Sequence, residues 1–289
     1  MHMGLAHARR RIGETTIPLE TYFALAGNSP TLAVMAEATH AFAEQALNGQ
    51  SLTDLPLLTA MAPFKGGGRA GPGYYTDIPA GPLSLRNAAD LYAFPNMLQI
   101  LRATGADLTD WLERSASAFH HIPPGAQDQA LLDPGFSSYN FDVIFGLSYS
   151  IDLSQPARYS ADGDQVFPGP GRIRDLQHSG RPVQPTDAFH VVTNSYRASG
   201  GGHFPAAARC KAVLNSPVAV RKLLADHIAR TSPLRPVAQE TWRFSPLNGT
   251  RVLYETGPRA VSHTDRARSL GLTPVGPADN GFFQFEMTL

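Results

Sequence analysis

The sequence predicts an α+β domain, of mixed α/β type, in which helices pack on a mixed sheet. Amphipathic helical stretches and short apolar stretches alternate irregularly along the 289 residues, and several of the predicted strands form hairpin-like pairs. Apolar residues make up 43% of the chain, which is enough for a substantial core, and the 17% of charged residues is low for a disordered chain. The pattern contains no internal repeat and no clear linker.

Helices are predicted from capping signals and apolar spacing. Ser29 can cap a helix that has Pro30 in its first turn, and Asn48-Gly49 can end it. The pair Ser216-Pro217 repeats this start signal ahead of a second apolar periodicity. On these signals we predict helices from Pro30 to the Asn48-Gly49 pair and over residues 85–91, 107–119, 217–228 and 264–270.

Strands are predicted where β-branched and aromatic residues form short runs between turn residues. Residues 139–152 are predicted to form two strands around a bend at Gly146, and residues 10–22 are expected to be extended. The other predicted strands cover residues 57–63, 97–102, 173–176, 189–193, 242–244, 252–255 and 282–287.

The charge balance excludes a global attraction to nucleic-acid polymers or to membrane surfaces. Lys plus Arg and Asp plus Glu number 24 each, so any recognition of phosphate must be local. No run of 18 apolar residues exists, and we therefore expect no membrane span. A single cysteine, Cys210, excludes an internal disulfide and a zinc site built from several thiolates.

The first ten residues are expected to be an expression remnant or a linker. They begin with Met1-His2-Met3, lack the apolar core of a signal peptide, and lead into a run of arginines. We therefore expect the folded domain to occupy residues 11–289.

One candidate binding feature is the stretch from Val191 to Phe204. It runs from a strand end through Tyr196 and Arg197 into three consecutive glycines, residues 200–202. Glycines allow positive φ and let a ligand lie against bare backbone. Taken alone, the stretch is explained equally well as a turn at a strand end with a tyrosine in the core.

A second candidate is the loop Phe64-Lys65-Gly66-Gly67-Gly68-Arg69. Its glycines would expose backbone N–H groups, and Lys65 and Arg69 stand at its ends, as in an anion site. It is not a P-loop, because no Gly-Lys-Ser/Thr follows at the required spacing. The alternative is a flexible turn with two solvated cations.

A third candidate is the corner around Pro95. Proline disfavours the helical region for the preceding residue, so Phe94 is expected between a helix and a strand, with Asn96 two residues on. An aromatic residue at such a corner is usually part of the core.

No catalytic residue is predicted in this chain. The ten histidines are scattered, and neither the clustered His and Asp ligands of a two-metal phosphoesterase nor a Gly-x-Ser-x-Gly elbow is present. The sequence therefore predicts neither a metal site nor a nucleophile.

Four stretches in order carry a resemblance to a known family: APFKGGGR (62–69), RNAADLYAFPN (86–96), YNFDVI (139–144) and TNSYRASGG (193–201). Together they resemble the C-terminal domain of the 5′-nucleotidase family, in particular the bacterial periplasmic 2′,3′-cyclic-nucleotide 2′-phosphodiesterase/3′-nucleotidase branch. The resemblance runs from about Arg11 to the C-terminus.

The resemblance implies half of a two-domain periplasmic hydrolase. An N-terminal metallophosphoesterase domain of the same polypeptide, absent from this chain, would carry two divalent metal ions and the catalytic residues. This chain would hold the nucleotide or nucleoside substrate and need no cofactor of its own.

Within this domain the resemblance implies that two aromatic rings sandwich the base. Phe94 and Tyr196 match the sandwich, Asn96 a contact to the base edge, and Arg69 a phosphate contact. Lys65 is included with Arg69 as the second cation of that loop. The run that matches the substrate-binding segment is Tyr196, Arg197, Ala198, Ser199, Gly200, Gly201 and Gly202.

Two departures from the family pattern bear on specificity. The related cyclic-nucleotide enzymes carry Tyr at the position of Phe94, so a hydroxyl is lost while the ring is kept. Nucleotidases of the other branch carry Asp at the position of Gly202 to hold the ribose hydroxyls, and its absence favours the cyclic-nucleotide branch.

Two other functions stay open at this point. The chain could be a non-catalytic binding or interaction module without nucleotide function, which predicts that Phe94 and Tyr196 lie far apart or are buried. It could also be an independent enzyme with an unrecognised site, which predicts metal-dependent hydrolysis by the purified chain.

Overall fold

The computed structural model describes residues 8–50, 52 and 54–289. Residues 1–7 of the predicted remnant or linker lie outside the described residues. The first strand begins at Arg11. The strands are β1 (Arg11–Thr15), β2 (Leu19–Glu20), β3 (Leu57–Met61), β4 (Asp77–Ile78), β5 (Gly81–Ser84), β6 (Met97–Thr104), β7 (Gln129–Ala130), β8 (Val143–Phe145), β9 (Leu147–Ile151), β10 (Ile173–His178), β11 (Arg181–Pro182), β12 (Ala188–Asn194), β13 (Lys211–Ala219), β14 (Trp242–Phe244), β15 (Arg251–Thr256), β16 (Thr273–Pro277) and β17 (Phe283–Thr288).

Helices interrupt the strands along the whole chain, which confirms the predicted α+β class. The α-helices with described bounds are α1 (Pro30–Gly49), α2 (Leu85–Leu91), α3 (Gly105–Ser115), α4 (Ser195–Ala198), α5 (Pro205–Arg209), α6 (Val220–Thr231) and α7 (Thr264–Ser269). Within the described ranges, no helix is both long enough and apolar enough to cross a membrane.

The central sheet has five strands in the order β13-β6-β12-β3-β8. The pair β12–β3 is parallel and the other pairs are antiparallel, so the sheet is mixed, as predicted. Strand β12 pairs with β6 along its whole length, with Asn194 opposite Leu98. This register brings the corner that precedes β6 beside the end of β12, and both predicted aromatic residues lie at these two ends.

The described residues form four sheets besides the central one. Two have four strands, in the orders β11-β10-β9-β14 and β16-β17-β15-β7, and two are the strand pairs β1–β5 and β2–β4. Helix α1 packs against β3 and α6, and its buried side is rich in alanine, which permits close approach. The Ser29 hydroxyl accepts a hydrogen bond from the Leu32 N–H at 3.3 Å, which confirms the predicted cap.

The second predicted helix start is wrong. Ser216-Pro217 lies inside β13, and α6 begins only at Val220. Strand β13 is at the edge of the central sheet, where a proline without an N–H costs no ladder hydrogen bond. The Ser216 hydroxyl accepts from the N–H of Val218 instead of capping a helix.

Helix α3 begins two residues before the predicted boundary because of a capping box. The Thr104 hydroxyl accepts from the Asp107 N–H at 3.2 Å, and the Asp107 carboxylate accepts from the Thr104 N–H at 2.9 Å. The predicted end at Phe119 is replaced by a 3₁₀ turn over Ala116–Ala118. The predicted bend at Gly146, between β8 and β9, is confirmed, with φ at +96°.

Candidate functional site

The site lies where two connections of the central sheet meet. One runs from the end of α2 through Phe94 and Asn96 into β6, and the other runs from the end of β12 into the short helix α4, which carries Tyr196. The Met97 N–H donates to the Ser195 hydroxyl at 3.1 Å and ties the two connections together.

Between these connections lies a cavity of about 260 Å³, which we call the aromatic cavity. Its lining consists of Phe64, Phe94, Asn96, Tyr139, Asn194, Tyr196 and Arg197. The Phe94 and Tyr196 side chains, about a hundred residues apart in sequence, are 36% and 41% exposed. Two rings that the sequence separates widely therefore line one cavity, and both are accessible from solvent.

A third ring, that of Tyr139, contacts both of these rings edge-on. Its centroid lies 6.2 Å from that of Phe94 and 6.4 Å from that of Tyr196, with interplanar angles of 70° and 74°. Phe64 supports Phe94 from another side, at 5.8 Å and 70°. Edge-to-face contacts at these distances are favourable for aromatic pairs. The cavity wall is therefore a continuous chain of four aromatic side chains.

A second cavity, of about 370 Å³, adjoins the first, and we call it the loop cavity. The two share Phe64, Phe94 and Tyr139, and the other lining residues of the loop cavity are Gly67, Arg69, Ala70, Tyr74, Ser137 and Ser138. Arg69 is exposed, and no ion pair joins it to another described residue. The loop cavity thus offers an available positive charge one ring away from the aromatic cavity.

Exposed aromatic rings concentrate at these two cavities. Within the described residues, the aromatic side chains most exposed to solvent are Tyr74, Phe94 and Tyr196, and all three line one cavity or the other. Exposed apolar surface that gathers in one place is typical of a binding site.

Behind the aromatic cavity, Arg197 forms a buried ion pair with Asp142. The distance from Arg197 Nε to Asp142 Oδ2 is 2.7 Å, and both side chains are almost fully buried. The Trp111 indole N–H donates to the same carboxylate oxygen at 2.7 Å. The guanidinium also lies over the Phe204 ring, with 3.7 Å between Cζ and the ring centroid. Arg197 therefore forms one wall of the cavity while its charge is satisfied within the protein.

The same guanidinium connects the separate segments that carry the rings. It donates to the carbonyl of Tyr139 at 2.7 Å, to the side-chain oxygen of Asn140 at 3.3 Å, and to the carbonyl of Gly201. Its own backbone N–H donates to Asn194 Oδ1 at 3.0 Å, which caps α4. Tyr139 and Tyr196 are thus held in their relative positions by one side chain.

The glycine run supports Tyr196, rather than lining either cavity. A Cβ on Gly201 would lie 2.6 Å from the Tyr196 ring, and one on Gly202 would lie 2.0 Å from Asn140 Oδ1. The Gly202 carbonyl accepts from the buried Arg114 guanidinium at 3.0 Å. Glycine is therefore required at these two positions because the side chains of Tyr196 and Asn140 approach the backbone closely.

Of the predicted substrate-binding run, the two cavities include Tyr196 and Arg197. The residues Ala198, Ser199, Gly200, Gly201 and Gly202 are outside both linings. The other predicted cation, Lys65, forms an ion pair with Asp90 and is also outside both linings. Asn96 and Arg69 do line the cavities, in the aromatic and the loop cavity respectively.

The loop at residues 66–68 is also held by an aromatic side chain. A Cβ on Gly67 would meet the Tyr75 hydroxyl at 2.0 Å, and the Gly67 N–H donates to the Tyr74 carbonyl at 2.8 Å. The Gly67 N–H that the sequence suggested for an anion is therefore already engaged. Among the lining residues of the loop cavity, Arg69 supplies the positive charge for an anion.

Three lining residues of the aromatic cavity were not predicted as site residues: Phe64, Tyr139 and Asn194. Tyr139 and Asn194 lie inside the quoted motifs YNFDVI and TNSYRASGG, so the motifs themselves were the available signal. Among the residues that the structure describes, no group of three or more His, Cys, Asp or Glu side chains could hold a metal ion.

The family model for the 5′-nucleotidase C-terminal domain matches residues 20–209, which include every residue of both cavities. The chain belongs to this family. The match confirms the resemblance that the four sequence motifs carry.

Curated relatives of this 5′-nucleotidase C-terminal domain include the trifunctional nucleotide phosphoesterase protein YfkN of Bacillus subtilis (strain 168). The two are 40% identical over 264 residues, which cover 91% of this chain and 18% of that protein. The 2′,3′-cyclic-nucleotide 2′-phosphodiesterase/3′-nucleotidase of Haemophilus influenzae is 38% identical over 291 residues, which cover 96% of this chain and 44% of that protein. The chain therefore spans less than half the length of these relatives.

Solved structures share the fold of the domain. The 5′-nucleotidase precursor of Thermus thermophilus superposes with a TM-score of 0.62 and 16% identity, covering 86% of this chain and 41% of that one. The NAD nucleotidase of Haemophilus influenzae gives a TM-score of 0.55 and 13% identity, covering 84% of this chain and 40% of that one. At these identities the likeness establishes the fold alone.

The buried ion pair gives a prediction for stability. Arg197→Met leaves the Asp142 carboxylate buried without its cation, so we expect the free energy of unfolding in urea to fall by about 3–5 kcal/mol. The control is Lys222→Met, which breaks an exposed ion pair with Asp226. This variant should change the free energy of unfolding by less than about 0.5 kcal/mol. Equal losses in the two variants would contradict the role given to Arg197.

Proposed function

We propose that this domain binds the base of a nucleotide or nucleoside between Phe94 and Tyr196. The observation that carries the proposal is the placement of these two exposed rings in one cavity, in a chain whose other large aromatic side chains are mostly buried. Covering the face of an exposed aromatic ring is favourable in free energy because it removes apolar surface from water. A base offers a planar surface of similar size. Stacking of this kind is worth about 1–3 kcal/mol per base and accepts any base.

In the proposed complex, the rest of the ligand lies in the loop cavity. Arg69 lines it, and the ring of Phe94 separates it from the aromatic cavity. A guanidinium matches the geometry of a phosphate group and can donate two parallel hydrogen bonds. In the proposed complex the base lies in the aromatic cavity and the phosphate lies toward Arg69.

We further propose that hydrolysis occurs on a separate metallophosphoesterase domain of the same polypeptide, which would hold the two divalent metal ions. In support, the relatives named as 2′,3′-cyclic-nucleotide 2′-phosphodiesterase/3′-nucleotidase are more than twice as long as the region they share with this chain. The role of this domain is then to bind the substrate and present its phosphate. A periplasmic location stays a prediction of the family resemblance.

The proposal implies weak binding by the domain alone. Two stacking contacts supply at most about 2–6 kcal/mol before the cost of ordering the ligand, which corresponds to millimolar to high-micromolar dissociation constants. Broad base specificity follows as well, because stacking selects for planarity and, in the proposed complex, Asn96 is the lining residue that contacts a base edge.

The rings are tested by titrating the domain with 3′-AMP and adenosine in a calorimeter. We expect Phe94→Ala and Tyr196→Ala each to weaken binding roughly 5- to 100-fold, because each removes one stacking face. Phe94→Tyr and Tyr196→Phe keep the rings and should bind within about threefold of the wild type. Val237→Ala, at an exposed apolar residue outside both cavities, serves as a control. Unchanged binding in both alanine variants would overturn the proposal.

The division between binding and hydrolysis has its own test. The purified chain, supplied with Mn²⁺, is expected to bind 2′,3′-cyclic AMP without hydrolysing it above the rate seen without protein. Phosphate-ester hydrolysis that requires Mn²⁺ and is lost in the Phe94→Ala, Tyr196→Ala double variant would show an active site in this chain. That outcome would replace the proposal of a separate catalytic domain.

A further inference from the structure

The loop cavity is lined by side-chain hydrogen-bond donors that the protein itself leaves unused. Arg69, Tyr74 and Ser137 line this cavity and not the aromatic one. Ser137 directly precedes a 3₁₀ turn, Ser138–Asn140, but its hydroxyl does not cap that turn. The Tyr22 hydroxyl donates to a carboxylate, whereas that of Tyr74 has no hydrogen-bond partner among the described residues. These donors are therefore available to a ligand.

The segment that carries Ser137 packs directly against the loop at residues 66–68. A Cβ on the last glycine of this loop would lie 3.2 Å from the Phe136 carbonyl oxygen, and one on the first would lie 2.7 Å from Ser138 Cβ. These contacts involve the neighbours of Ser137 on both sides. The glycines thus let the two segments approach each other closely, and Ser137 lies beside the loop.

Tyr74 lies where the chain returns along the same loop. Its carbonyl accepts the Gly67 N–H at 2.8 Å, and Lys65 Nζ lies 5.6 Å from the centroid of its ring. A cation over an aromatic face at this distance is attracted to the ring. The same ammonium pairs with Asp90, and it does not line the cavity. Lys65 therefore stabilises the position of the Tyr74 ring at the cavity wall.

The chemistry of this lining fits a phosphate group. No Asp or Glu is among the lining residues of the loop cavity, and each polar side chain there, the Arg69 guanidinium and the hydroxyls, can donate a hydrogen bond. A fully ionised phosphate presents only acceptors. A guanidinium can donate two parallel hydrogen bonds to it, and hydroxyl donors to its remaining oxygens are strengthened by its charge.

We propose that the Tyr74 and Ser137 hydroxyls complete, together with Arg69, a binding site for a phosphate monoester. A fully ionised monoester has three terminal oxygens and two negative charges, whereas a 2′,3′-cyclic diester has two such oxygens and one charge. The site therefore favours 3′-AMP, a product of opening the cyclic ester, over 2′,3′-cyclic AMP itself. This inference rests on the proposed function, and it adds two hydroxyl donors and a preference among phosphate esters.

The test compares adenosine, 2′,3′-cyclic AMP and 3′-AMP in calorimetric titrations at about pH 8, where the monoester is fully ionised because its second pKa is about 6. We expect the wild-type domain to bind 3′-AMP most tightly and adenosine most weakly. Ser137→Ala and Tyr74→Phe should each weaken binding of 3′-AMP roughly three- to thirtyfold, the cost of one hydrogen bond to a charged group. Both variants should keep the affinity for adenosine within about twofold.

Three further variants complete the design. Arg69→Met removes the charge and should abolish the preference for 3′-AMP over adenosine, whereas Ser137→Thr keeps the hydroxyl and should retain that preference. Ser262→Ala removes an exposed hydroxyl outside both cavities and should leave all three affinities unchanged. Binding of adenosine by each variant reports that its fold is intact. Tyr74→Phe changes an exposed side chain, so it keeps the test decisive even if Ser137→Ala is poorly folded.

Four outcomes separate the inference from the proposed function. Unchanged affinity for 3′-AMP in both hydroxyl variants would mean that Arg69 holds the phosphate without them, and it would overturn the inference while the proposed function stands. Equal weakening of adenosine and 3′-AMP would assign the hydroxyls to the fold and overturn it as well. Wild-type binding of 3′-AMP no tighter than that of 2′,3′-cyclic AMP would also contradict it. Absence of any binding by the wild type would instead refute the proposed function itself.

Discussion

The site depends on a single buried charge, the guanidinium of Arg197. A buried cation needs an anion and hydrogen-bond acceptors to offset the hydration that it has lost. Moving any of these partners away therefore costs a large amount of free energy. Asp142 supplies the anion, and the carbonyls of Tyr139 and Gly201 supply acceptors. These partners come from segments far apart in the sequence. The charge therefore fixes segments that no local preference would hold together.

This arrangement separates the parts of the site that must be rigid from the parts that must be exposed. Phe94 and Tyr196 are left open to solvent, while Phe64 and Arg197, which hold them, are buried, and the glycine run is partly buried. A cavity whose walls are already fixed loses little side-chain freedom when a ligand enters. The modest gain from stacking is then available for binding, and the covered rings lose contact with water.

The sequence predicted the parts of the structure that local signals decide, and the family motifs predicted the lining residues Phe94, Asn96, Tyr196 and Arg69. The Ser29 cap is a property of one turn and was confirmed. Ser216-Pro217 carries the same local signal, but it lies within the edge strand β13, in an irregular stretch between residues that pair with β6, Asn215 and Ala219. The role of the glycine run also could not be predicted from local sequence. Its role depends on what a missing Cβ would meet, which is the Tyr196 ring and Asn140, and such contacts follow only from the tertiary structure.

The central claim is that the two rings hold the two faces of one base. A crystal structure of the domain with adenosine bound tests it most directly. The account predicts the base plane between Phe94 and Tyr196, with each ring in van der Waals contact at about 3.5 Å and the Asn96 carboxamide at the base edge. Adenosine bound elsewhere, or resting on one ring while the other points away, would contradict it.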